Sequence, residues 1–160
     1  MLEKHNDEYY MREALKEAVK AYNRGEVPIG CVIVKDNKII SRAYNLKEKN
    51  NDCTAHAEIL AIRKASKKLG WRLTDCDIYI TVEPCPMCIG AIIQCRINRV
   101  AFGTFDPKAG AVGSVLDLTE YELNHKVEVA SGILKDECEK IIKIFFKELR
   151  KKTHRQEGES

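Results

Sequence analysis

The stretch Ile78-Tyr79-Ile80-Thr81-Val82-Glu83-Pro84-Cys85-Pro86-Met87-Cys88-Ile89-Gly90-Ala91-Ile92-Ile93-Gln94 decides the architecture. Its first five residues form an apolar, β-branched run of strand length. Pro84 and Pro86 then bracket the opening of a helix that reaches about Gln94. Proline is tolerated there because the first amides of a helix have no intrahelical acceptor. Strand, sharp turn and helix in direct succession imply a crossover to a parallel neighbour.

Working outward, a second strand is expected over 99–103, followed by a loop over 106–114 that carries Pro107, Gly110 and Gly113. A weaker, partly helical region spans 116–122, and 126–130 has strand character. A last helix over 135–151 places Cys138, Ile141, Ile142, Phe145 and Phe146 along one side. Upstream, a helix over 55–69 ends at Gly70, after a polar loop over 45–54. Two runs, 29–34 and 39–43, flank the polar pair Asp36-Asn37 and read as an antiparallel hairpin. The first helix carries the stripe Met11, Ala14, Leu15, Ala18, Val19 and Tyr22, with Asp7 as its expected N-cap and Gly25 as its stop. Helices alternating with strands around one hairpin predict an α/β protein, a three-layer α/β/α sandwich with a mixed five-stranded sheet. One domain over 1–152 and a polar, flexible tail over 153–160 are expected.

The chain has 160 residues, 44% hydrophobic and 32% charged, which excludes a disordered or fibrous protein. A formal net charge of +3 permits an anionic partner without demanding one. Basic residues gather in the last helix and tail, where Lys147, Arg150, Lys151, Lys152 and Arg155 outnumber Glu148, Glu157 and Glu159. The opening residues are charged and polar, unlike a secretory signal, and no apolar run approaches the roughly 18 residues of a membrane span. With 7 Cys beside 4 His, a reducing cytoplasm is expected, in which cysteines are core filler, ligands or catalysts. Cys31, Cys76 and Cys138 fall on core positions and need no other role.

Two motifs carry chemistry. Thr54-Ala55-His56-Ala57-Glu58 opens one helix, and Glu83-Pro84-Cys85-Pro86-Met87-Cys88 opens the next. Cys85 and Cys88 are one helical turn apart and face the same way. The helix N-terminus favours their thiolate form. Two thiolates and the His56 imidazole make a zinc ligand set with a fourth position open for water, the pattern of a catalytic site. Glu58 is the nearby base. Two other readings stand beside this one. Cys85 and Cys88 could form a redox dithiol, which leaves His56 and Glu58 unexplained. Cys53 or Cys95 could instead close a structural zinc site, which leaves Glu58 without a role.

The pairing of His-Ala-Glu with Pro-Cys-x-x-Cys, each opening a helix, resembles the zinc-dependent cytidine/deoxycytidylate deaminase superfamily. Within it the chain is similar to the bacterial branch that acts on adenosine in tRNA. The resemblance runs from about Tyr10 to Arg150. It includes Glu26-Val27-Pro28-Ile29-Gly30, Ala43-Tyr44-Asn45, Gly103-Thr104-Phe105-Asp106-Pro107-Lys108, Gly113-Ser114, Asn124-His125 and Gly132-Ile133-Leu134. It implies a cytidine deaminase-like fold with one Zn2+ per subunit on His56, Cys85 and Cys88. It also implies hydrolysis of adenosine to inosine at the wobble position of an arginine tRNA, releasing ammonia, with Glu58 shuttling protons for a zinc-activated water. Asn45 is then expected to hydrogen-bond the nucleoside, and Val27 and Pro28 to wall the pocket. Phe146 would stack on a base of the anticodon loop and Arg150 would meet phosphate. A cytoplasmic homodimer that binds no membrane completes the expectation. Alternatives are a guanine or other free nucleobase or nucleoside deaminase of the same superfamily, and a non-catalytic zinc-structural RNA-binding module. The loop over 106–114 and the helix with Phe145, Phe146 and Arg150 favour the tRNA branch. Three residues depart from the commonest pattern: Cys53 where proline is frequent, Tyr44 where histidine is frequent, and Cys31 where a small residue is usual.

Overall fold

A computed structural model describes residues 6–159. Residues 1–5 of the expected domain and Ser160 of the expected tail lie outside the described residues. In chain order the elements are α1 (Asp7–Asn23), β1 (Gly30–Lys35), β2 (Lys38–Tyr44), α2 (Ala57–Leu69), β3 (Asp77–Val82), α3 (Pro86–Gln94), β4 (Arg99–Thr104), a 3-10 turn (Leu118–Glu120), β5 (Glu128–Ala130) and α4 (Lys135–Gly158). The strands form one five-stranded sheet in the order β2-β1-β3-β4-β5. β1 runs antiparallel to both β2 and β3, while β3, β4 and β5 are parallel. This is the mixed sheet that the sequence predicts.

Strand alternation sorts the side chains into two cores. Cys31, Ile33, Ile78, Ile80, Val100 and Phe102 face Ala57, Ala61 and Ala65 of α2 and Ile89, Ile92 and Ile93 of α3. Val32, Val34, Tyr79 and Ala101 face Tyr10, Met11 and Ala14 of α1 and Cys138 of α4. With helices on both faces, the central strands are buried almost throughout, so β1, β3 and β4 read as apolar runs and not as alternating ones. The β1–β2 turn holds Asp36 and Asn37 at φ 50° and 60°, the left-handed pair that fits the twist of a two-residue hairpin. α1 crosses β1 so closely that a Cβ on Gly30 would lie 1.9 Å from the carbonyl oxygen of Ala14. Along β2, Lys64 and Lys68 of α2 donate to the carbonyls of Arg42 and Ile40, at 2.7 and 2.5 Å.

The structure corrects several expectations. Asn6, not Asp7, caps α1 by accepting from the amide of Tyr9. Asp7 turns inward and accepts a bidentate pair from Arg99 at 2.9 and 2.8 Å and a hydrogen bond from the Tyr79 hydroxyl. The buried side of α1 includes Glu13 and Glu17, whereas Val19 is exposed. Arg42 and Lys16 neutralise Glu13, and Lys20 neutralises Glu17, so those positions can be covered. α4 does not stop at 151 but continues as helix through Gly158, so the polar segment after 152 extends the helix. Cys138 and Phe145 are buried in it, but Phe146, expected on the same side, is 38% exposed.

Candidate active site

Two helix N-termini meet at the carboxyl end of β3. His56 is the N-cap of α2 and Cys85 the N-cap of α3, both in extended backbone, and Pro86 occupies the first turn of α3. Neither cap side chain makes a capping hydrogen bond, which leaves the imidazole and the thiol available to each other. The Sγ atoms of Cys85 and Cys88 lie 3.7 and 3.4 Å from Nδ1 of His56. The three potential ligand atoms lie within 4.8 Å of one another, and among the described residues no other such His/Cys/Asp/Glu group occurs. The donor set of two thiols and one imidazole fits zinc. Hydrogen bonds from Cys88 and His56 hold the Cys85 thiol down to about 4. The same contact, with burial, pushes the Cys88 thiol up. The contact with Cys85 raises His56 against the opposing effect of burial.

Cys53 and Cys95 do not join this group. Cys53 is exposed, in a loop where Asp52 accepts from both the amide and the hydroxyl of Thr54. Cys95 lies past the far end of α3 with its thiol on the Ile92 carbonyl. All seven cysteines are free thiols. Glu58, in the first turn of α2, is 4% exposed and in hydrogen-bonding contact with Cys88. Burial pushes its carboxyl above the usual range.

The group opens on a cavity of about 190 Å³ whose lining includes Val27, Asn45, His56, Glu58, Glu83 and Asp106. Of the three residues expected at the pocket wall, Val27 and Asn45 line this cavity and Pro28 does not. The Ile29 amide bonds back to the Val27 carbonyl at 2.9 Å, closing a three-residue turn. That turn brings Val27 and Ile29 to the cavity and leaves Pro28 buried away from it. Asn45 donates to the Val27 carbonyl and accepts from the Lys47 amide, so its amide also holds the wall together. Beside the cavity, and sharing Val27, Ile29, Val82 and Asp106 with it, lies a groove of about 540 Å³. Phe105, Lys108, Lys143, Phe146 and Arg150 border that groove. Phe146 and Arg150, both on α4, thus border the groove and not the cavity itself. A separate cleft of about 460 Å³ between β2 and α2 is lined by Arg42, Lys64, Lys67 and Lys68 and holds none of the chemical groups named above.

Sequence reasoning assigned no role to two buried carboxylates. Glu83 lines the cavity, is 3% exposed and accepts from the backbone of the 106–114 loop. Glu26 is 1% exposed and accepts from the amides of Glu48 and Lys49, fixing the loop that precedes His56. The available signal was an acid abutting a buried apolar run, Glu83 after Val82 and Glu26 before Val27.

Residues 4–104 match the model of the cytidine and deoxycytidylate deaminase zinc-binding region. A tRNA-specific adenosine deaminase of Bacillus subtilis is 52% identical over 148 residues, covering 91% of this chain and 92% of that protein. One of Streptococcus pyogenes is 46% identical, covering 90% and 85%. Among solved structures, one from work on A-to-I editing by tRNA:A34 deaminases at the wobble position of transfer RNA superposes with a TM-score of 0.79. It is 45% identical, covering 83% of this chain and 98% of the other. A guanine deaminase of Bacillus subtilis gives a TM-score of 0.60 at 35% identity, covering 74% and 87%.

Proposed function

The chain belongs to the cytidine and deoxycytidylate deaminase family, and from that membership we propose that it hydrolyses adenosine to inosine at the wobble position of a tRNA, releasing ammonia. The observation that carries this reading is the adjacency of two spaces. A cavity lined by His56, Cys85 and buried Glu58 shares the wall of Val27, Ile29, Val82 and Asp106 with a groove bordered by Phe146 and Arg150. A free-base deaminase has no use for that groove, and a structural zinc module has none for a buried carboxyl at the cavity.

His56, Cys85 and Cys88 would hold one zinc per subunit. When bound, zinc supplies Lewis-acid activation of water at neutral pH. Glu58 accepts a proton from the attacking water and delivers it to the purine ring as oxygen adds at C6. It then takes the proton of the hydroxyl added at C6 and hands it to the amine, which leaves as ammonia. Its burial suits the first of these duties, because a raised carboxyl pKa makes it a better acceptor than an exposed carboxylate. Val27 and Asn45 wall the base, which has to leave the anticodon-loop stack to enter the cavity. Phe146 offers a ring face and Arg150 a phosphate contact to the flanking nucleotides. By family resemblance, an arginine tRNA is the substrate.

We also place the protein in the cytoplasm as a homodimer. Seven free thiols suit a reducing compartment. No helix among the described residues is long and apolar enough to cross a membrane. Val115, Leu116, Tyr121, Leu123 and Val129 are exposed apolar side chains that association with a second copy would take out of water. Incubation with four substrates tests the activity: tRNA with a wobble adenosine, the same tRNA with guanosine there, free guanine, and cytidine. Inosine from the first alone is expected. Turnover of guanine with no action on RNA overturns the reading.

A further inference from the structure

The Glu83 carboxylate sits at a crossing of two loops. It leaves the end of β3, two residues before Cys85, and its oxygens enter the loop over 106–114. Oε1 accepts from the Asp106 amide at 3.1 Å and from the Ser114 hydroxyl. Oε2 accepts from the amides of Val112 and Ser114 at 3.0 and 3.1 Å. Every one of these partners is a donor, so the site accommodates an acceptor-only group. The Ala111 amide adds a bond to the Pro84 carbonyl at 2.9 Å, and the Glu83 amide one to the Thr104 carbonyl at 2.9 Å. Gly110 lies against the carboxylate: a Cβ there would come within 2.3 Å of the Glu83 Cδ carbon. The loop so held supplies Asp106 and Ala109 to the cavity and Pro107 and Lys108 to the groove.

We propose that Glu83 is a positioning residue for substrate binding. Its carboxylate fastens the 106–114 loop to the segment carrying Cys85, so that the substrate wall and the metal arm keep one spacing. The inference deepens the activity proposed above and rests on it. Glu83 touches no ligand atom of the His56, Cys85 and Cys88 group, so it acts on the wall and not on the metal. In Glu83→Gln, one oxygen becomes an NH2 that faces donors on either side of the carboxylate. The loop loosens while His56, Cys85, Cys88 and Glu58 stay in place.

The test compares wild type, Glu83→Gln, Ser114→Ala and Gly110→Ala in the full chain loaded with zinc. Zinc content, steady-state kinetics on tRNA bearing a wobble adenosine, and residue-resolved amide exchange are measured. For Glu83→Gln the expected result is wild-type zinc content, KM raised about tenfold, kcat changed less than about threefold, and faster exchange at Asp106, Val112 and Ser114. Gly110→Ala reproduces the KM effect, and the double variant is no worse than the worse single one. If Glu83→Gln does not fold, Ser114→Ala carries the test, with a KM rise of about threefold expected from losing one donor. Wild-type KM and unchanged exchange at those amides overturn the proposal, as does loss of zinc with KM unchanged. Should wild type fail to deaminate the tRNA, the activity reading falls, while zinc content and amide exchange still decide whether Glu83 fastens the loop.

Discussion

His56 is an ordinary histidine until Cys85 and Cys88 lie within 3.7 Å of its Nδ1, and Glu58 an ordinary helix carboxylate until burial lifts its pKa. Glu58→Ala should keep zinc and the fold and lose about 10³-fold in kcat, which single-turnover inosine formation measures. Wild-type turnover would remove Glu58 from the mechanism. Glu13 shows the opposite shift. Its hydrogen bond from Arg42 lowers its pKa and ties α1 to β2. The stabilisation from a lowered carboxyl is complete above the unfolded pKa and is lost as pH falls through the lowered folded value. The urea midpoint of Glu13→Gln should therefore lie below wild type at pH 7, and the difference should vanish as the pH drops below the carboxylate range. A constant difference would deny the linkage. His56, Glu58, Cys85 and Cys88 were legible in the sequence because their spacing at two helix openings is itself the chemical signal. Glu83, Glu26 and the real partner of Asp7 were not. Each acts through amides or side chains brought from far along the chain, and no local pattern records that.

At the scale of elements, period and punctuation carried the reading. The strands and α1 to α3 sit within a few residues of their expected limits because prolines, glycines and apolar spacing act locally. The end of α4 was harder to place. Beyond Phe145 its residues are exposed, so no buried stripe marks where it stops, and charged residues of good helix propensity carry it to Gly158. At Pro28 a three-residue turn brings its two neighbours, Val27 and Ile29, to the cavity instead, which apolar spacing alone does not show. The crossing of α1 over β1 gives a sharp prediction. Gly30→Ala puts a methyl 1.9 Å from a backbone oxygen of Ala14 and should cost about 3 kcal/mol, or leave the protein insoluble. A melting temperature equal to wild type would mean that α1 can shift outward freely.

Across the whole molecule, the proposed metal joins α2 and α3, which lie side by side on one face of the sheet. Chelation should therefore lower the melting temperature, on the order of 10 °C, as well as abolish turnover. Loss of activity with no thermal shift would show that the two helix N-termini hold their places unaided. The sheet itself has an open side. β2 ends the order β2-β1-β3-β4-β5, and its outward carbonyls at Ile40 and Arg42 are those that Lys68 and Lys64 reach. Each ammonium occupies an acceptor that an incoming strand would need, and adds a charge that repels a second copy. These two lysines act as guards against edge-to-edge aggregation. Neutralising both, as in Lys64→Met with Lys68→Met, should leave catalysis intact and make the protein assemble into β-rich aggregates at concentrations where wild type stays clear, visible as light scattering with a thioflavin signal.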